Sequence, residues 1–228
     1  MYMIKILNFY QILNFTLSFL FNKKFNEVEL IKKNIEESSN IFDIGSNLGN
    51  YIRFLTNKLT NFDLEFHSFE PIENLLTKQE TLKINNKHKL KLNNTVVSNS
   101  SEEIMFYENS IPSQSTVKNT RGRIGKTKKS YLVKSIKLDQ YCIENNINEI
   151  GYVKIDVEGS ELSVLKSANE LLKNKKINLI KVEITNTLHN CNEILDYMGK
   201  FDYKIASIDN LFFTKNYLNL LEIYFEKN

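Results

Sequence analysis

An apolar run, Ile41-Phe42-Asp43-Ile44, passes without a spacer into Gly45-Ser46-Asn47-Leu48-Gly49, and NYIRFLTNKL then repeats apolar residues every three or four positions. Strand, glycine turn and helix in that order point to an open α/β sheet. In such sheets ligands collect beyond the carboxyl ends of the strands, where strand order reverses. The chain has only seven glycines in 228 residues, so two placed four positions apart carry weight. Gly45 lets the backbone turn sharply without a side chain, and Gly49 lets the helix pack close to the strand. The free amides at the helix start suit a carboxylate or phosphate.

The rest of the chain repeats this alternation. SNIFDIG, DLEFHSFE, HKLKLNNTVVS, EIGYVKIDVEG and INLIKVEIT read as buried strands, and NLGNYIRFLTNKL, PIENLLTKQETLK and SELSVLKSANELLKN as helices. The pattern predicts a mainly parallel sheet with helices on both faces and right-handed crossovers. FDYKIASID and YLNLLEIYFEKN break it and predict a closing hairpin with an antiparallel C-terminal edge strand. The length fits one domain, taken as residues 26–228, preceded by an extension over 1–25. In that extension Lys5, Asn8, Gln11, Asn14, Ser18 and Asn22 share one face of an amphipathic helix. The interruptions are too frequent for a membrane span, and there is no small-residue cleavage site. The readings left are a helix that caps the domain, a homo-oligomer contact, or contact with a membrane surface.

Composition narrows the partners. Thirty Lys plus Arg against 27 Asp plus Glu leave a net charge of +3, so no domain-wide basic field points to nucleic acid. Cys142 and Cys191 form neither a disulfide scaffold nor a CxxC zinc motif and read as reduced thiols of a cytoplasmic protein. The least regular stretch, from Asn109 to Ser130, includes Lys118, Arg121, Arg123, Lys126, Lys128 and Lys129. It is either a solvated loop or a recruiter of an anionic acceptor.

Two further groups of residues bear on chemistry. Glu70, in Phe69-Glu70-Pro71, ends the strand after the glycine turn, where a carboxylate accepts hydrogen bonds from two ribose hydroxyls. Asn47 replaces the middle glycine of the dinucleotide fingerprint, which disfavours a pyrophosphate and favours a nucleoside without phosphates, such as S-adenosylmethionine. In Val153-Lys154-Ile155-Asp156-Val157-Glu158-Gly159-Ser160-Glu161, three carboxylates fall within six residues. Such crowding is costly unless the groups meet water, a cation or a substrate hydroxyl. Glu161 also suits a helix N-terminus, complementing its dipole.

DIGSNLGNY, SFEP, SIKLDQYC, YVKIDVEGSELSVLKSA and IKVEI, in that order, resemble the FkbM family of S-adenosylmethionine-dependent methyltransferases over roughly residues 39 to 184. The resemblance implies a class I methyltransferase fold, a Rossmann-like three-layer sandwich on a seven-stranded sheet. It carries cofactor contacts to Asp43, Gly45, Asn47, Gly49 and Glu70. It also implies O-methylation of a sugar, glycan or other small metabolite, and matches Asp156 and Glu158 to an acidic turn. On this reading Asp156 takes or orients the acceptor's proton, while Glu158 or Glu161 holds neighbouring hydroxyls. Alternatives stay open: a Mg2+-dependent form using Asp156 and Glu183, His189 as base or ligand, a nicotinamide-dependent oxidoreductase, or a nucleoside-binding module without turnover.

Overall fold

The computed structural model describes residues 25–110, 115–117, 127–184, 188–209, 213–214, 217–218 and 221–228. The expected amino-terminal helix and most of the basic loop, including Lys118, Arg121, Arg123 and Lys126, lie outside these residues.

In chain order the main elements are α1 (Glu27–Asn34), β1 (Asn40–Ile44), α2 (Asn50–Lys58), β2 (Glu65–Phe69), α3 (Glu73–Gln79) and β3 (Lys89–Asn93). After them come β4 (Val96–Val97), β5 (Ile104–Asn109), β6 (Thr127–Val133), β7 (Ser135–Ile136), α4 (Leu138–Glu144) and β8 (Ile150–Ile155). The chain continues with α5 (Glu161–Ser167), α6 (Asn169–Lys173), β9 (Ile177–Ile184), α7 (Leu188–Gly199) and β10 (Tyr203–Asp209). The last strands are β11 (Phe213–Thr214), β12 (Tyr217–Leu218) and β13 (Leu221–Lys227). Seven strands form one sheet in the order β10-β13-β9-β8-β1-β2-β3. All pairs are parallel except those of β13, which runs antiparallel to both neighbours. The C-terminal strand is thus the reversed one of the expected hairpin, and it lies one place inside the edge, between β9 and β10.

The central strands are buried on both sides, so their sequences are mostly apolar, interrupted on one face by Asp43, Lys154 and Lys181. Strand alternation divides the core into two layers. Phe42, Ile44, Val153, Ile155, Ile180 and Val182 meet Leu138, Val164, Leu165, Leu172 and Met198 from α4 to α7 on one face. On the other, Ile41, Tyr152, Leu179 and Tyr224 meet Ile31 of α1 and Ile52 and Leu55 of α2.

The expected helix over SELSVLKSANELLKN divides at Ala168 into α5 and α6. The Ser167 hydroxyl turns back to the Val164 carbonyl at 2.6 Å, competing with the helical ladder. Asp139 then accepts the amides of Glu170 and Leu171 at 2.9 and 3.0 Å, so a carboxylate from α4 starts the new helix. HKLKLNNTVVS likewise divides into β3 and β4. At the break, Asn94 Nδ2 donates to the carbonyls of Glu70 and Pro71 at 3.0 and 3.1 Å.

Candidate active site

Strand order reverses between β1 and β8. Beyond their carboxyl ends lies a cleft whose wall includes Gly45, Asn47, Glu70, Asp156, Glu158 and Ser160. The Gly45 and Ser46 amides both donate to the Phe69 carbonyl, at 3.0 and 3.2 Å, which ties the turn after β1 to the end of β2. Gly45 and Gly49 both have positive φ, +82° and +70°, and Asn47 between them adopts φ 52°.

Glu70 is buried, and each carboxylate oxygen receives one amide: Asn47 N–H reaches Oε2 and Ile72 N–H reaches Oε1, both at 2.9 Å. A carboxylate oxygen has two lone pairs, so each keeps one for a ligand hydroxyl. Burial pushes the Glu70 carboxyl up to about 7, against the pull of those two amides. Behind the turn, Gln79 Nε2 donates to the Asn47 carbonyl at 2.7 Å and to Ser46 Oγ at 2.9 Å, while its Oε1 accepts from Ser68 Oγ at 2.6 Å. Sequence reasoning missed Gln79. Its signal is a polar residue four places after Leu75, on the apolar stripe of α3.

The expected site residues divide into two groups. Gly45, Asn47, Glu70, Asp156 and Glu158 come together on the cleft wall. Asp43 is not part of that wall: it is buried, with Lys154 Nζ, which also binds Asp156, 3.6 Å from its Oδ1. Gly49 caps α2. Glu161 is buried and turns back to accept the Gly159 amide at 2.6 Å. Glu158 adopts φ 54°, uncommon for a residue with a long side chain, and its carbonyl accepts Thr116 Oγ1 at 3.1 Å.

Strand register sets two polar rows on the α1 face. Asp43, Lys154, Lys181 and Tyr224 align across β1, β8, β9 and β13, and Glu183 faces Glu222 one pair further along. Lys154 Nζ binds Asp156 Oδ2 at 2.9 Å. Lys181 Nζ binds Glu27 and Glu222 at 3.1 and 2.9 Å. Glu27 Oε1 also accepts the hydroxyls of Tyr51 and Tyr224 at 2.6 and 3.0 Å, fastening α1 to the sheet. Burial, and secondarily Asp156, pushes Glu183 up to about 7. Among the described residues, no group of three or more His, Cys, Asp or Glu is placed to hold a metal ion. The His189 side chain lies outside the description. Cys142 and Cys191 are free and buried. Among the described residues, no helix is long and apolar enough to cross a membrane.

These carboxyls make a pH prediction. The folded state holds protons on Glu70 and Glu183 up to about pH 7, whereas the unfolded chain releases them near 4.5. Their stabilising contribution is therefore complete below about 4.5 and lost as pH rises through 7. His67 acts oppositely: burial lowers it from 6.5 to about 4, so stability is lost as pH falls below 6.5. The melting temperature of the free protein should accordingly fall as pH rises from about 4.5 to about 7, partly offset by His67 below 6.5, then level off, and it should fall less in Glu70→Gln.

A family model described as the methyltransferase FkbM domain matches residues 43–205. Among solved structures, the methyltransferase FkbM from Methylobacillus flagellatus KT is similar at 17% identity and TM-score 0.49, over 83% of this chain and 44% of that one. An rRNA methylase from Streptococcus thermophilus is similar at 13% identity and TM-score 0.50, over 88% and 93% of the two chains. At these identities the likeness is one of fold. The chain spans less than half the length of the Methylobacillus protein. No curated protein matches the sequence significantly.

Proposed function

The chain belongs to the methyltransferase FkbM domain family, and from that premise we propose that it moves the methyl group of S-adenosylmethionine to a hydroxyl oxygen of a sugar, glycan or other small metabolite. The observation that carries the cofactor assignment is Glu70, a carboxylate fixed by two backbone amides at the end of β2 with one lone pair spare on each oxygen. That arrangement fits the vicinal hydroxyls of a ribose. Gly45, without a Cβ, leaves room for the Asp156 carbonyl beside the turn and so lets β1 and β8 end together at the cleft. When bound, S-adenosylmethionine supplies a methyl group on a positively charged sulfur. That methyl group would be open to in-line displacement by the acceptor oxygen, with the sulfide as leaving group, and Asp156 would take up the acceptor's proton. Lys154 holds Asp156 Oδ2, leaving Oδ1 for the hydroxyl.

Calorimetry with S-adenosylhomocysteine tests the donor site, and labelled methyl transfer into sugar, lipid and peptide fractions of an extract tests the acceptor. Wild type should bind the product. Glu70→Gln should bind it about 30-fold more weakly, because the amide has one acceptor oxygen where the carboxylate has two. Equal affinity of the two proteins would remove Glu70 from the site. Product binding with no labelled acceptor in any fraction would leave a nucleoside-binding module without turnover.

A further inference from the structure

Ser160 stands immediately before α5, where a serine ordinarily accepts a hydrogen bond from a first-turn amide. It makes no such bond, and its backbone, φ −113° and ψ 16°, lies outside the extended conformation that favours one. Glu161 takes the neighbouring Gly159 amide instead. The Ser160 hydroxyl is buried and has no hydrogen-bond partner, although the residue lines the cleft that holds Glu70 and Gly45. Leaving a buried hydroxyl unpaired carries a free-energy cost, so an orphan on a cleft wall points to a partner that arrives with the ligand.

The composition of the wall says which part of the ligand that is. Asn47 and Glu70 are the polar part of the wall assigned to the ribose. The same wall carries Pro71, Val96, Val97, Phe106 and Val157, apolar side chains that suit a slot for a flat ring. A purine in that slot has polar edge atoms that need partners, and Ser160 offers a rotatable group able to donate or accept. We infer that Ser160 hydrogen-bonds an edge of the purine base of the donor, an assignment that rests on the methyltransferase reading and assigns the base its own polar contact.

The test is calorimetry of wild type and Ser160→Ala with S-adenosylhomocysteine and with its 7-deaza, 3-deaza and inosyl analogues, which alter the base edges one at a time. Ser160→Ala should bind S-adenosylhomocysteine about ten-fold more weakly, and the deficit should shrink to about two-fold or less for the analogue altered at the bonded edge. Without ligand, the variant should melt at or above the wild-type temperature, because an unpaired buried hydroxyl has been removed. Equal affinity of the two proteins, the same deficit for every analogue, or a ligand-free melting temperature lowered by more than about 5 °C would each overturn the assignment. Wild type failing to bind S-adenosylhomocysteine at all would instead remove the methyltransferase reading on which it rests.

Discussion

Gly45→Ala should melt about 10 °C below wild type and show no measurable binding of S-adenosylhomocysteine, corresponding to a loss of about 3 kcal/mol of stability. A Cβ on Gly45 would lie 1.8 Å from the Asp156 carbonyl oxygen and 2.9 Å from its carbon. Backbone at φ +82° adds strain for any L side chain. The carbonyl has little room to retreat, because the Asp156 amide is itself bonded to the Ile44 carbonyl at 3.0 Å in the β1–β8 pairing. Relief must come from moving the turn, which would carry the Asn47 amide away from Glu70. Gly49→Ala supplies the contrast. Its closest contact, 2.6 Å, is with Leu82 Cδ1, the far end of a flexible side chain, so about 1 to 2 kcal/mol should be lost and binding retained. Thermal melts and calorimetry on both variants check the pair. Equal effects would mean that the turn after β1 yields as easily as a leucine side chain.

The contrast between these glycines marks the boundary of what the sequence discloses. The turn after β1 and Glu70 were legible because each is decided locally, by a strand ending in residues that cannot extend it. The same holds for β8 and the acidic turn behind it. The motif places Asp43 beside the glycines, but not its neighbour Lys154, which strand register brings to 3.6 Å and which also holds Asp156. The partnership of Lys154 with Asp43 and of Lys181 with Glu222 depends on strand register, which no local pattern specifies. Phe106 and Thr116 reach the cleft from the β5–β6 region, Phe106 packed with Ile72 and Leu75 in a satellite core, and only tertiary packing brings them there. Ser160 was readable as a residue but not as an orphan, since the sequence offers it a capping role that it does not take up.

Asp156→Asn should lower methyl transfer at saturating acceptor about 100-fold while leaving the affinity for S-adenosylhomocysteine within about two-fold of wild type. Asparagine keeps an oxygen for Lys154 Nζ, now 2.9 Å from Asp156 Oδ2, but it cannot take a proton. The change should therefore isolate proton acceptance from the positioning of the lysine. A second readout shows whether the electrostatics respond locally. Asp156 is the largest charge raising Glu183, after burial, with Lys154 and Lys181 opposing it and Glu222 adding to it. Neutralising Asp156 should let Glu183 ionise at lower pH, so the loss of stability between about pH 4.5 and pH 7 should become smaller. A reduced pH response with normal turnover would show that the substitution reached its neighbours while proton transfer did not need it, and Asp156 would then be a structural partner of Lys154. Slow turnover with unchanged product affinity would assign the proton to the carboxylate at the end of β8.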